Sequence, residues 1–151
     1  MLKKTSETTP TMASIVNSYS TSTQDGYSCD YVNGNIGKSI YTNTETTFTE
    51  QDVNIDLTPY SYIEIIFYTE TVSSNWKYVK STGKILNVAG YRGTMGDYVS
   101  NDSNTSAPQY FGRNFTLYAS KIAFTNGYNY NGSTYSNRNS SCVPLVVIGY
   151  K

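Results

Sequence analysis

Histidine is absent from this 151-residue chain. With it go the commonest general base, the commonest zinc ligand and every Ser-His or Cys-His nucleophile. Cysteine is nearly absent too: Cys29 and Cys142 stand far apart and make no short-spaced metal motif. Two unlinked buried thiols are the expectation for a protein made in a cytoplasm. There is no run of about 18 apolar residues to span a bilayer. The start Met1-Leu2-Lys3-Lys4-Thr5 leads into polar residues, not the apolar stretch of a secretory signal. Membrane insertion is therefore not expected. Net charge is lacking as well, with 11 basic and 11 acidic residues. The basic ones are scattered, so the positive footprint that nucleic acid requires is missing. No phosphate loop of P-loop or dinucleotide spacing occurs, and no cofactor or metal is expected.

What the chain does hold is tyrosine, 16 of them with five Phe and one Trp. They lie in a background that is about one-third Ser, Thr and Asn. Tyr, Thr, Ile, Val and Phe fit a pleated, half-buried surface, while Asn, Ser and Gly serve turns and compete with helical hydrogen bonding. The composition points to an all-β protein. It also suits a surface that binds by contact, since Tyr supplies a rigid amphipathic ring and Ser and Asn supply adaptable hydrogen bonds.

Along the chain, residues 1–35 have no sustained period of 2 or 3.6 and read as an extended arm. Its one apolar patch contains Met12, Ile15, Val16 and Tyr19. Residues 36–151 change to short alternating runs separated by turn residues, the texture of a β-sandwich with around eight strands. Ser39-Ile40-Tyr41 opens it. Val53, Ile55 and Leu57 share one face, and Thr58-Pro59-Tyr60 is a turn. Tyr62 to Tyr68 is a strand with Ile63, Ile65 and Phe67 on one side. Trp76 to Lys80, with both lysines outward, is expected to form a hairpin with Lys84 to Val88 through Ser81-Thr82-Gly83. Gly90 to Gly112 reads as mostly loop. Asn114 to Tyr118 and Lys121 to Phe124 form a tight hairpin about Ala119-Ser120, and Asn126-Gly127 is a type I′ signal. Val143 to Lys151 is a central strand buried on both faces, with Pro144 near its start.

Carboxylate pairs are the enzymatic option that survives. At strand rise Glu64 and Glu70 would lie about 20 Å apart, and Asp52 and Asp56 about 13 Å, too far for glycoside hydrolysis by either stereochemical route. Asp97 and Asp102 offer hard oxygens for calcium but lack the alternation of an EF-hand loop. No catalytic residue is expected. Adhesion remains: Tyr98, Tyr128, Asn129, Tyr130, Asn131 and Tyr135 combine aromatic platforms with amides, the pairing on which sugar rings stack and hydrogen-bond. A second aromatic group, Tyr91, Tyr110 and Phe111, falls with Tyr98 in the expected loop.

Several stretches resemble small C-terminal modules of tail fibres, baseplate tips and other virion appendages of gut bacteriophages. They are Ser20 to Asn33, the Tyr-x-x-Ile-Glu-Ile texture between Leu57 and Ile65, Ser81-Thr82-Gly83-Lys84-Ile85, Arg113-Asn114-Phe115-Thr116 and the closing Val143 to Lys151. Such modules are β-sandwich, jelly-roll-like heads that often trimerise. The resemblance implies a virion protein made in the bacterial host cytoplasm and bound through its arm to other tail or capsid proteins. It further implies a homotrimer whose head contacts a host surface glycan. The competing expectation is a free-standing carbohydrate-binding module.

Overall fold

The computed structural model describes residues 36–70, 77–99 and 109–151. Among the described residues there are eleven strands and no helix. In chain order they are β1 (Lys38–Thr42), β2 (Gln51–Asn54), β3 (Tyr62–Glu70), β4 (Lys77–Ser81), β5 (Ile85–Leu86) and β6 (Arg92–Val99). Then follow β7 (Gln109–Tyr118), β8 (Lys121–Phe124), β9 (Tyr128–Tyr130), β10 (Tyr135–Asn137) and β11 (Val143–Tyr150). The whole of the expected arm, residues 1–35 with Met12, Ile15, Val16 and Tyr19, lies outside the described residues, and so do Trp76 and Asp102.

The strands form two antiparallel sheets. In the first, β1, β11 and β3 are neighbours in that order, and β4 and β5 both pair with β3. In the second the order is β10, β9, β7, β8, β2, with β6 on β7. Alternation decides which side of each strand is apolar. Ile63, Ile65 and Phe67 of β3 and Val143 and Val147 of β11 are buried from the first sheet. Met95 of β6, Phe111, Phe115 and Leu117 of β7, and Ile122 and Phe124 of β8 meet them from the second. The all-β sandwich expected from composition is thus what the chain forms. The expected β7–β8 hairpin is also present, with Tyr118 opposite Lys121 across a two-residue turn.

Five local expectations are corrected. Gly90 to Gly112 is not mostly loop, because Arg92–Val99 is an eight-residue strand paired along β7. Its glycines depress strand propensity yet are needed for packing: a Cβ on Gly93 would stand 2.3 Å from Cζ of Phe115. The segments before and after Ser81-Thr82-Gly83 do not form a hairpin. β4 and β5 lie end to end along the same edge of β3, and Gly83 takes up the break at a φ of 68°. Lys80 does not point away from the core: it stands opposite core-facing Phe67 and its ammonium pairs with Asp97 of the other sheet. Asn126-Gly127 is no type I′ turn, since Gly127 lacks the positive φ this turn requires. A Cβ there would meet the carbonyl oxygens of Arg138 at 2.4 Å and Ser141 at 2.6 Å. Finally, β11 is central but fully buried on one side only; Leu145, Val146, Ile148 and Tyr150 are half-buried.

Arg113 occupies a core-facing position of β7 and is 0% exposed. Its guanidinium is satisfied by backbone carbonyls alone. Nε donates to Cys142 at 2.9 Å, Nη1 donates to Thr125, and Nη2 donates to Asn139 and Ser141 at 3.2 Å each. Burial pulls its pKa down to about 10, so it remains charged at neutral pH. Cys142, a buried free thiol, sits in the left-handed region at a φ of 50°. Burial pushes the thiol up to about 12. The arginine therefore ties the segment between β10 and β11 to β7 and β8, fixing the base from which the β9–β10 hairpin projects.

Candidate functional site: a tyrosine face on the second sheet

Because Phe111, Arg113, Phe115 and Leu117 turn inward, Tyr110, Gly112, Asn114 and Thr116 turn outward. Residues directly opposite across an antiparallel pair share a face. Register then assembles a row. Tyr98 stands opposite Tyr110, Tyr110 opposite Tyr130, and Tyr130 opposite Tyr135. Four tyrosines from β6, β7, β9 and β10 thus cross the outer face, over about 14 Å at the usual strand spacing. The ends are open, Tyr98 being 60% and Tyr135 69% exposed.

The next row is Gly96, Gly112, Tyr128 and Asn137. Its two glycines leave a trough, and neighbouring rings lie down in it. A Cβ on Gly96 would fall 2.0 Å from the Tyr110 hydroxyl, and one on Gly112 would fall 2.4 Å from Cζ of Tyr128. Ring contacts link the cluster: Tyr110 and Tyr128 at 6.2 Å, Tyr128 edge-on to Tyr135 at 5.7 Å, Tyr130 stacked on Tyr135 at 4.5 Å. Burial, reinforced by Tyr110 and Tyr135, pushes Tyr128 up to about 12. Burial also raises Tyr110. The neighbouring phenols act on each other as well: Tyr110 adds to the rise at Tyr128, while the Tyr128 hydroxyl lowers Tyr110 against its larger rise from burial. Both remain neutral phenols through the physiological range.

Further along the same face come Thr94 and Asn114, joined by a 2.8 Å bond from the threonine hydroxyl to the carboxamide oxygen, and then Arg92 opposite Thr116. These residues and Thr125 line a concavity of about 330 Å³.

Of the six residues singled out from sequence, Tyr98, Tyr128, Tyr130 and Tyr135 come together here. Asn129 does not: alternation turns it to the other side, where it donates to Oε1 of Gln109 at 2.8 Å. Asn131 caps the β9–β10 turn instead, its carboxamide oxygen accepting from the Thr134 amide at 3.0 Å and from the Ser133 amide and hydroxyl. In the second aromatic group, Tyr110 joins the row, Phe111 is core, and Tyr91 lies 6.3 Å from Phe115. Arg92, Thr94, Asn114 and Thr116 were not foreseen. The alternation Arg92-x-Thr94-x-Gly96-x-Tyr98 carried the signal, hidden by its glycines.

The carboxylates weighed as catalysts have other work. Glu64 accepts from Ser81 and, at 2.5 Å, from Tyr150, and these bonds with nearby Lys84 lower its pKa. A general acid needs the opposite shift. Asp56 is held low by the hydroxyl and amide of Thr58. Asp52 pairs with Lys121 at 2.7 Å. Asp97, considered for calcium, is buried against Lys80. Among the described residues no cluster of three or more metal-ligating side chains occurs. No protein-family model matches the chain, and no curated protein matches it in sequence.

Proposed function

We propose that this chain is a bacteriophage structural protein, a fibre or receptor-binding component that attaches to host surface glycan through the outer tyrosine face. Residues 1–35 act as the arm that docks on other virion proteins, of the tail or the capsid, and the sandwich is carried as a homotrimer. It is not an enzyme: binding is its task. The observation supporting adhesion is the row Tyr98, Tyr110, Tyr130 and Tyr135, large rings aligned by register on an open face. Such rings bind with little entropy to lose, and their hydroxyls add hydrogen bonds. The virion setting rests on the resemblance described above.

Deleting the first 20 residues tests the anchoring role. The expected result is a folded, soluble head that no longer enters particles; particles still carrying the truncated protein would contradict it. The purified chain should also compete with intact particles for host cells. A free-standing carbohydrate-binding module would use the same tyrosine face but is ordinarily a monomer, so the mass in solution separates the two readings.

A further inference from the structure

We propose that the glycan taken by this face is a uronate-bearing oligosaccharide, its carboxylate held by Arg92. The inference rests on reading the tyrosine row as a saccharide platform and adds the charge class of the ligand.

Arg92 projects from β6 on the same outer face as the row and is exposed. It has no carboxylate partner among the described residues, whose two ion pairs are Lys80 with Asp97 and Lys121 with Asp52. The acids on the β2 side are already engaged, Asp52 by Lys121 and Glu50 by a 3.5 Å contact from Asn126. The concavity of about 330 Å³ thus has one uncompensated cation at its rim. Around it stand Thr94, Asn114, Thr116 and Thr125, all neutral hydrogen-bonding groups. The Thr94 hydroxyl fixes the Asn114 carboxamide through its oxygen. Its Nδ2 has no partner among the described residues and is left to donate.

Geometry sets the size of the ligand. Thr94 and Asn114 precede or follow the Tyr98–Tyr110 pair by four residues along their strands, about 13 Å. A single sugar cannot both stack on the row and reach Arg92, so the ligand is oligomeric. A guanidinium fork matches a planar carboxylate through two parallel bonds. Polymers with a phosphate on every repeat are gathered by several cations together. This groove has a single one, which favours a uronate.

An array of bacterial oligosaccharides tests the proposal with the full chain. It would hold neutral, phosphate-bearing and uronate-bearing members, each uronate beside its carboxyl-reduced counterpart. Arg92→Gln and Tyr130→Ala would be run alongside, both checked by thermal unfolding. The expected result is binding to uronate members that weakens at least about tenfold on carboxyl reduction. Arg92→Gln should abolish that difference, and added salt should weaken only the wild type's acidic preference. Equal binding of each uronate and its reduced form, or preference for phosphate-bearing members, would overturn the inference and leave the saccharide platform standing. Binding that ignores Tyr130→Ala, or no binding to any member, would overturn the platform and the inference together.

Discussion

The ring of Tyr128 lies on the backbone of Gly112, so close that a methyl group at Gly112 would stand 2.4 Å from its Cζ and 2.5 Å from its hydroxyl oxygen. Glycine within a strand normally weakens it. Here the missing side chain is what lets the tyrosine rings lie down on the sheet and touch one another.

Gly112→Ala should therefore push Tyr128, and through it Tyr110, off the face. The obstructing atoms are the far ends of side chains, so the fold should survive with a loss of about 1–3 kcal/mol. Near-ultraviolet circular dichroism would register the altered tyrosine environment, and saccharide affinity should fall severalfold. An unchanged aromatic spectrum would contradict the packing described here.

Gly127→Ala should behave differently. Its new methyl group would meet carbonyl oxygens of Arg138 and Ser141 and Nη2 of Arg113, at 2.4, 2.6 and 2.8 Å. Backbone cannot step aside as a ring can. A loss exceeding about 3 kcal/mol is expected by denaturant unfolding, placing this among the severe substitutions.

Arg113→Met should be as damaging, although an unbranched apolar stem is kept in place of the arginine's own. Removing the guanidinium strands carbonyls of Cys142, Thr125, Asn139 and Ser141 in a buried site. Breaking such a charged network costs about 3–5 kcal/mol. Arg113→Lys should recover only part of that, because a single ammonium cannot match the planar fork. A full recovery by lysine in an unfolding titration would count against the arrangement.

Alkaline pH offers an independent check through Tyr128, whose pKa rises from 10.0 to about 12 because burial disfavours the phenolate. The unfolded chain ionises first. The stability tied to the neutral phenol is complete below pH 10 and is lost as pH rises through the window up to about 12. Tyr128→Phe removes that group and should flatten the decline within that window. Stability followed against pH for both proteins decides it; identical slopes would refute the assignment.

How much of this was legible beforehand differs from strand to strand. β3 and the β7–β8 hairpin were, because alternation of large apolar residues speaks locally. β6 was not, because Gly93 and Gly96 serve Phe115 and Tyr110, which lie on a different strand. Ser81-Thr82-Gly83 misled for a related reason: a chain reversal and a break in a continuing edge strand both use a glycine at positive φ. Composition indicated the tyrosines of the site, but bringing Tyr98 beside Tyr110 and Tyr110 beside Tyr130 depends on which strands become neighbours. The burial of Arg113 gave no signal at all, since an arginine between Gly112 and Asn114 looks like any exposed one.

Saturation-transfer NMR between the purified chain and oligosaccharides released from the host surface tests the central claim most directly. Irradiating the tyrosine ring protons should carry saturation into the sugar, and the effect should vanish in a Tyr110→Ala, Tyr130→Ala double variant that remains folded. Transfer that persists undiminished in that variant would mean the outer face of the second sheet is not where the glycan sits.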